Sequence, residues 1–359
     1  MTQPIGVAIV GSGLFAREQH LPAALTNDLI ILRALYSRSL KSAQETASTI
    51  TDHPQPDLYS EDSPSQKFSD LLTRTDIQAF IIALPIVSQP AFIEAALSAG
   101  KHVLAEKPIA KDVATARNLI SHYQNLPTPL NGVKPVFAVA ENYRFMPRFI
   151  YAAEQVASLG KVTHFSAKIM SLMKDENKYY KTSWREKPEY QGGFLLDGGV
   201  HHAAATRLFL RGTQNTPVSV RALTAQVQKH LPPIDTVSAV VRTAGGAIGT
   251  YYHSAGTLMN SLEWDIACEK GTVKSSGDVV TVKRVGEEKG EERTFEWTSG
   301  VKEEVRVWVE SILEGRGVDG MQSAEEALGD LEFLERMFTS GERGGEEERY
   351  ELQTVGVER

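Results

Sequence analysis

The chain has 359 residues, 42% of them hydrophobic, so it is long enough to bury two cores, and its formal net charge of -7 argues against nucleic acid or an anionic membrane surface as a partner. A single cysteine, Cys268, excludes an internal disulfide. With no cationic-then-apolar leader and no apolar stretch of membrane length, the expected setting is reducing and cytoplasmic, without membrane association.

Ile5 to Val10 is a short β-branched run that Gly11 stops, and a helical stretch over Phe15 to Leu25 follows it. Between them stands Gly11-x-Gly13-x-x-Ala16. Gly11 permits a tight turn, Gly13 lets a pyrophosphate approach bare backbone, Ala16 lets the helix pack on the strand, and the helix N-terminus favours phosphate charge. The turn reads as a dinucleotide site formed by Gly11, Ser12, Gly13, Leu14 and Phe15. The next strand, Leu29 to Tyr36, runs into Ser37-Arg38-Ser39 where an Asp or Glu would take the ribose 2′-hydroxyl of NAD. No carboxylate stands in that stretch to repel a 2′-phosphate, Arg38 is there to pair with one, and Ser37, Ser39 and Lys41 add donors, so NADP(H) is expected over NAD(H). The plain alternative is a solvated loop with an idle arginine.

Residues 54–65 read as a polar loop. Ala79 to Pro85 follows as a further parallel strand, Gln89 to Ala99 as its helix with Gly100 as the stop, and His102 to Ala105 as the strand that delivers Glu106-Lys107-Pro108. Strands alternating with crossover helices give a parallel sheet covered on both faces, with its ligand crevice at the strand C-ends, where Pro85 and Lys107 fall. After a proline-rich loop over residues 126–135 comes a helix over Phe149 to Leu159. A long segment carrying Tyr179, Tyr180, Trp184 and Arg185 then leads into Gly192-Gly193-x-x-x-Asp197-x-x-x-His201, whose i and i+4 spacing places Asp197 and His201 on one helical face.

The rest of the chain is rich in strand patterns: Val162 to Met170, Val218 to Val227, Val237 to Arg242, Ile248 to Ser254, Leu262 to Cys268 and Val279 to Val285. Val218, Val220, Val237, Ala239, Val241, Ile248 and Tyr252 alternate, which predicts an apolar sheet face and, through it, a homodimer unless those positions face the domain's own helices. Helices return at Val301 to Leu313 and Ser323 to Thr339, the second opening on the capping-box pattern Ser323-x-x-Glu326. Residues 287–296 and 341–348 read as charged surface.

Lys107, Asp197 and His201 form an acid-base set suited to a proton on a carbon-bound hydroxyl. An imidazole titrates at about 6.5, a lysine ammonium can hydrogen-bond a reacting oxygen, and a carboxylate can orient either one. A two-histidine, one-carboxylate metal site is disfavoured, because the adjacent His201 and His202 point to different helical faces, and no metal is expected. Aromatic faces with a guanidinium suit a polyhydroxylated substrate, although buried aromatics most often serve the core.

Gly11-x-Gly13-x-x-Ala16, Leu84-Pro85, the block Ala99 to Pro108, Glu141-Asn142-Tyr143-Arg144-Phe145 and Gly192-Gly193-x-x-x-Asp197-x-x-x-His201 together resemble the glucose-fructose oxidoreductase and inositol dehydrogenase family, Gfo/Idh/MocA. The resemblance implies an α/β protein with an N-terminal Rossmann domain over 1–143 and a C-terminal α/β domain over 144–359 holding a large, mostly antiparallel open sheet. It implies Lys107, Asp197 and His201 as catalytic residues, Glu106 near the nicotinamide ribose, and further cofactor contacts from Leu84, Pro85, Gln89 and Asn142. Substrate contacts are expected from Tyr143, Tyr179, Tyr180, Trp184, Arg185 and His202. The chain departs from the family at Gln89, where histidine is common, and at Leu84, where threonine is. The implied activity is NADP(H)-dependent hydride transfer between nicotinamide and a carbinol or carbonyl carbon of a sugar, polyol or related small molecule. The alternative is a catalytically silent dinucleotide-binding sensor or transcription co-regulator of the same fold, which would need none of this acid-base set.

Overall fold

A computed structural model describes residues 3–127, 132 and 134–353; the proline-rich loop lies partly outside the described residues. The chain divides into two compact units, one made of Met1–Ala110, Ala114–Glu141 and Val301–Ala324, the other of Lys111–Val113, Asn142–Gly300 and Glu325–Arg359.

The first unit is built on six parallel strands: β1 (Ile5–Val10), β2 (Ile30–Ser37), β3 (Asp57–Ser60), β4 (Ala79–Ile82), β5 (His102–Glu106) and β6 (Phe137–Ala140). They lie in the order β3-β2-β1-β4-β5-β6, the doubly wound arrangement in which strand order reverses beside β1. Every residue of β1, β4 and β6 is buried, as continuous apolar runs in a sheet covered on both faces require. Crossovers are made by α1 (Leu21–Leu25), α2 (Leu40–Ala47), α3 (Phe68–Thr73), α4 (Gln89–Ser98) and α5 (Val113–Asn125). Two features differ from the sequence expectation. The helix after the glycine turn opens as a π-helical turn, Ala16–His20, before α1, and the loop expected over 54–65 contains β3, four residues with only one fully buried.

The second unit is a nine-stranded sheet. Its strands are β7 (Val162–Leu172), β8 (Pro217–Ala225), β9 (Thr236–Thr243), β10 (Ile248–Ser254), β11 (Gly256–Cys268), β12 (Gly271–Ser276), β13 (Val279–Arg284), β14 (Glu291–Thr294) and β15 (Glu348–Arg349). They run in the order β14-β13-β12-β11-β7-β10-β9-β8-β15, and only β7 with β10 pair in parallel. The helices of this unit are α6 (Pro147–Ser158), α7 (Ser183–Glu186), α8 (Phe194–Asp197), α9 (Val200–Phe209) and, after the first unit's α10 (Val301–Glu314), α11 (Ala324–Glu342). Strands β12 and β14 had no strong apolar alternation to announce them.

A single cut after Tyr143 does not describe this division, because the segment carrying α10 returns to the first unit. The reason is apolar: Val301, Val305, Trp308 and Val309 are buried in the same core as Val7, Ile9, Leu21 and Leu104. Burial of that stripe carries the segment back to the first sheet.

The alternating residues of the second sheet also divide. Val220, Val237, Ala239 and Val241 are at most 1% exposed and belong to the inner face, where Tyr251 of β10 packs edge-on against Phe333 of α11. The opposite face carries Leu223, Val240, Ile248 and Tyr252 on β8 to β10, and Lys168, Asp265 and Lys274 in ion-pair range on β7, β11 and β12.

The inner helices are joined by buried charge. Arg144 Nη2 donates to both carboxylate oxygens of Asp330 at 2.6 and 2.7 Å, and Arg207 Nη1 donates to Asp330 Oδ1 at 2.6 Å and to Glu326 Oε2 at 3.0 Å. Burial pushes the Glu326 carboxyl up, but Arg207 and Arg144 outweigh it and hold the group below the ordinary carboxylate range. Removing one partner leaves the opposite charge buried and unbalanced, so Asp330→Ala should lower unfolding free energy by about 3–5 kcal/mol. Urea denaturation measures this, and a loss of less than about 1 kcal/mol would show that the cluster does not hold the unit together.

Candidate functional site

The candidate residues form two groups, one in each unit. In the first, the parallel sheet places the turn after β1 and the exit of β5 at the same strand ends. Gly11 adopts φ +117°, and a Cβ there would stand 2.2 Å from the Ala83 carbonyl oxygen, so only glycine makes this turn against β4. The turn suits a dinucleotide: the buried Ser12 Oγ has no hydrogen-bond partner among the described residues, and a Cβ on Gly13 would meet nothing within 4 Å. Leu14 and Phe15 are half-buried behind it.

At the end of β2, Ser37 is buried, Arg38 is exposed, and Ser39 caps α2, its Oγ accepting from Ser42 N at 3.3 Å and donating to Ser42 Oγ at 3.0 Å. Ser39 is thus engaged with its own helix. The expectation of a carboxylate-free turn also needs correction: Asp62, from the loop after β3, accepts a hydrogen bond from Leu40 N at 2.8 Å. Sequence reasoning missed it because the residue arrives from another strand.

The Glu106-Lys107-Pro108 exit is held from behind. Gln89 is buried, and its Nε2 donates to the Glu106 carbonyl at 2.5 Å, with a longer contact to the Pro108 carbonyl at 3.4 Å. The amide nitrogen of Gln89, a residue expected among the cofactor contacts, thus braces this backbone. Leu84 and Pro85 are half-buried beyond β4. Glu106 receives a hydrogen bond of 2.6 Å from His20 Nε2, which carries the proton because a carboxylate only accepts. His20 is fully buried against Phe15, and no motif pointed to it. Lys107 itself is half-buried.

Glu304, in the first turn of α10, was also unanticipated. It is 0% exposed, and neither carboxyl oxygen has a hydrogen-bond partner among the described residues. Burial pushes its titration well above the ordinary carboxylate range; Glu106, Glu141 and Glu303 add to the rise and Lys107 opposes it. The neutral acid is the favoured form in such a place.

In the second unit, Asp197 and His201 do not share one uninterrupted helix. α8 ends at Asp197, Gly198 and Gly199 intervene, and His201 lies in the first turn of α9. Asp197 is buried and accepts from Arg185 Nε at 2.5 Å, while Arg185 Nη1 donates to the Tyr179 carbonyl at 2.8 Å and the guanidinium sits 4.1 Å from the Trp184 ring centre. Arg185, Trp184 and Tyr179 therefore form one assembly around Asp197. Tyr190 packs beside it, and burial followed by the Asp197 charge pushes its phenol titration up.

His201 stacks on Tyr143, with ring centres 4.6 Å apart and planes 13° from parallel. His202 meets the same Tyr143 ring edge-on at 5.7 Å and also faces Trp264 and His253; complete burial pushes the imidazole of His253 down to about 4. Two expected ligand contacts are instead structural. Tyr180 is 3% exposed in a small core with Leu231 and Ala255, its hydroxyl donating to the His230 carbonyl. Asn142 is buried and donates its amide to the Ser299 carbonyl at 2.5 Å.

Comparison with known proteins gives a consistent result. Residues 5–128 match an oxidoreductase family with an NAD-binding Rossmann fold, and residues 151–274 match the GFO/IDH/MocA C-terminal domain. The chain is 40% identical over 343 residues to dehydrogenase FPY6 of Fusarium mangiferae, covering 94% of this chain and 96% of that protein. The crystal structure of an oxidoreductase from Thermotoga maritima aligns with a TM-score of 0.83 at 30% identity, covering 97% and 98% of the two chains. KijD10, a 3-ketoreductase from Actinomadura kijaniata solved with NADP and TDP-benzene, shares the fold at a TM-score of 0.76 and 21% identity, covering 94% and 98%. With a glycine turn on a parallel sheet, a second and mostly antiparallel sheet, and both family domains matched along the chain, this protein belongs to the GFO/IDH/MocA family of NAD(P)-binding oxidoreductases.

Proposed function

We propose that the protein is an NADP(H)-dependent oxidoreductase acting at a carbinol or carbonyl carbon of a sugar, polyol or related small molecule, with Lys107, Asp197 and His201 as its catalytic residues. The observation that carries this reading is the shared edge of the first sheet, where the Gly11-Ser12-Gly13 turn and the braced Glu106-Lys107 exit lie at the same strand ends. KijD10, a 3-ketoreductase solved with NADP and TDP-benzene, supports reduction at a carbonyl carbon and the phosphorylated cofactor.

A bound nicotinamide supplies or accepts the hydride. Gly11, Ser12 and Gly13 would hold the pyrophosphate, Glu106 would take the nicotinamide ribose with His20 fixing its carboxylate, and Arg38 would pair with a 2′-phosphate. In the oxidation direction the role proposed for His201 is to take the hydroxyl proton, and the role proposed for Lys107 is to donate a hydrogen bond to an oxygen that becomes a carbonyl; in reduction each role reverses. Asp197 supplies the compensating negative charge and draws Arg185 and Trp184 into a polar and aromatic surface suited to a hydroxylated ring.

We also propose a homodimer formed through the outer face of the second sheet, where Leu223, Val240 and Ile248 are 63%, 49% and 44% exposed on adjacent strands. Light scattering at micromolar concentration should give a dimer mass that falls to the monomer in Val240→Lys/Ile248→Glu; a monomeric parent overturns this reading.

Two measurements test the catalytic reading. Calorimetry should show NADPH binding more tightly than NADH by about ten- to a hundredfold, with Arg38→Ala removing most of the difference. Equal affinities in the parent would rule out the cofactor preference. Lys107→Ala and His201→Ala should keep cofactor affinity and lose turnover of an aldose or ketose substrate by about a hundredfold or more, as loss of an acid-base group implies. A parental rate in either variant removes that residue from the mechanism.

A further inference from the structure

The turn that would meet a 2′-phosphate is not bordered by basic and neutral groups alone. The loop after β3 is fastened to it at three points: Glu61 N donates to the Ser37 carbonyl at 3.2 Å, Tyr36 Oη donates to Glu61 Oε2 at 2.9 Å, and Leu40 N donates to Asp62 Oδ1 at 2.8 Å. Leu40 is the first residue of α2, so its amide is one of the orphan donors that a helix start offers to an anion. Ser39 satisfies Ser42 N and Asp62 satisfies Leu40 N, leaving this helix start already served by the protein's own acceptors. The nearby Ser60 hydroxyl dipole and the hydrogen bond from Leu40 N hold the Asp62 carboxyl below its ordinary range, which keeps it anionic at neutral pH.

We propose that Asp62 is a specificity-determining residue: its carboxylate, seated on the Leu40 amide two positions after Arg38, competes with the cofactor 2′-phosphate and restrains NADP(H) affinity while leaving NAD(H) affinity unaffected. Arg38 attracts the phosphate and Asp62 opposes it, so the preference is set by a difference between two charges rather than by one. NAD(H) carries a neutral hydroxyl at the same position and has no such charge to meet. This rests on the reading of residues 37–39 as the 2′-phosphate pocket.

The test titrates the full-length parent, Asp62→Asn, Asp62→Ala and Arg38→Ala with NADPH and NADH separately, by calorimetry or protein fluorescence, after thermal melts establish folding. Asp62→Asn preserves an oxygen for Leu40 N and serves if Asp62→Ala does not fold. Removing the charge should tighten NADPH by about two- to fivefold, the scale of an exposed charge pair, with NADH unchanged and the gain shrinking at about 1 M salt. Unchanged or weaker NADPH binding, or an equal change for both cofactors, overturns the proposal. If Arg38→Ala lowers the NADPH preference while the Asp62 variants do nothing, only the role of Asp62 fails. If Arg38→Ala changes nothing, the pocket assignment fails and the inference falls with it.

Discussion

Two guanidinium groups and two carboxylates buried together in the second unit determine how its candidate residues are held. Arg144 and Arg207 converge on Asp330 and Glu326, and none of the four side chains is more than 8% exposed. Charges so deprived of water are tolerable only while all of them stay paired, which leaves the segments carrying them little freedom to shift. Arg144 lies in the short helical turn Asn142–Phe145, so its anchoring also sets the adjacent Tyr143, whose ring lies flat on His201. Arg207 lies on α9 together with His201. Both halves of that stack are therefore referred to one buried acid cluster on α11.

The first unit reaches similar definition by backbone means. Parallel strands must end at one edge, and β1 and β5 deliver the glycine turn and the Glu106-Lys107 exit there. The exit is then stiffened by Gln89 on two carbonyls and by His20 on the Glu106 carboxylate. The substitution of glutamine for the family's common histidine at position 89 is intelligible in these terms, since a buried amide can donate to two neighbouring carbonyls at once. Glu304 adds a buried acid whose cheapest state is neutral, in a neighbourhood already holding Glu106 and Glu141. A second full negative charge beside Glu106 would alter the electrostatic setting of Lys107, so burial of Glu304 helps define that setting.

The aromatic residues show how one composition serves two ends. Trp184 and Tyr179 meet Arg185, which reaches Asp197, whereas Tyr180, one residue further along, fills a small core and donates to a backbone carbonyl. The two neighbouring tyrosines thus serve differently: Tyr179 meets Arg185 through its backbone carbonyl and holds its ring 4.9 Å from the Lys178 ammonium, while the Tyr180 ring is buried. The histidine pair on α9 shares Tyr143 and then divides: His201 lies flat on that ring, while His202 meets its edge and also faces Trp264 and His253.

Local patterns by themselves determined the parallel sheet, the glycine turn and the identity of Lys107, Asp197 and His201 as candidates, and the family resemblance those motifs carry implied the second, mostly antiparallel sheet. Those signals are short-range: a β-branched run before Gly11-x-Gly13, a lysine locked between Glu106 and Pro108, alternation along β9 and β10. Only the tertiary structure decided which side of the second sheet the alternating residues occupy, because a period of two separates the faces without saying which is covered. It also decided that α10 returns to the first core, that Gln89, Asn142 and Tyr180 are spent on packing and backbone support, and that His20 reaches Glu106 across 86 positions of sequence. The carboxylate of Asp62 makes the same point at the cofactor turn. Residues 37–39 contain no acid, yet the pairing of β2 with β3 brings one to Leu40. Charge acts through space, and neighbours in space are set by strand order, which no reading of a single loop contains.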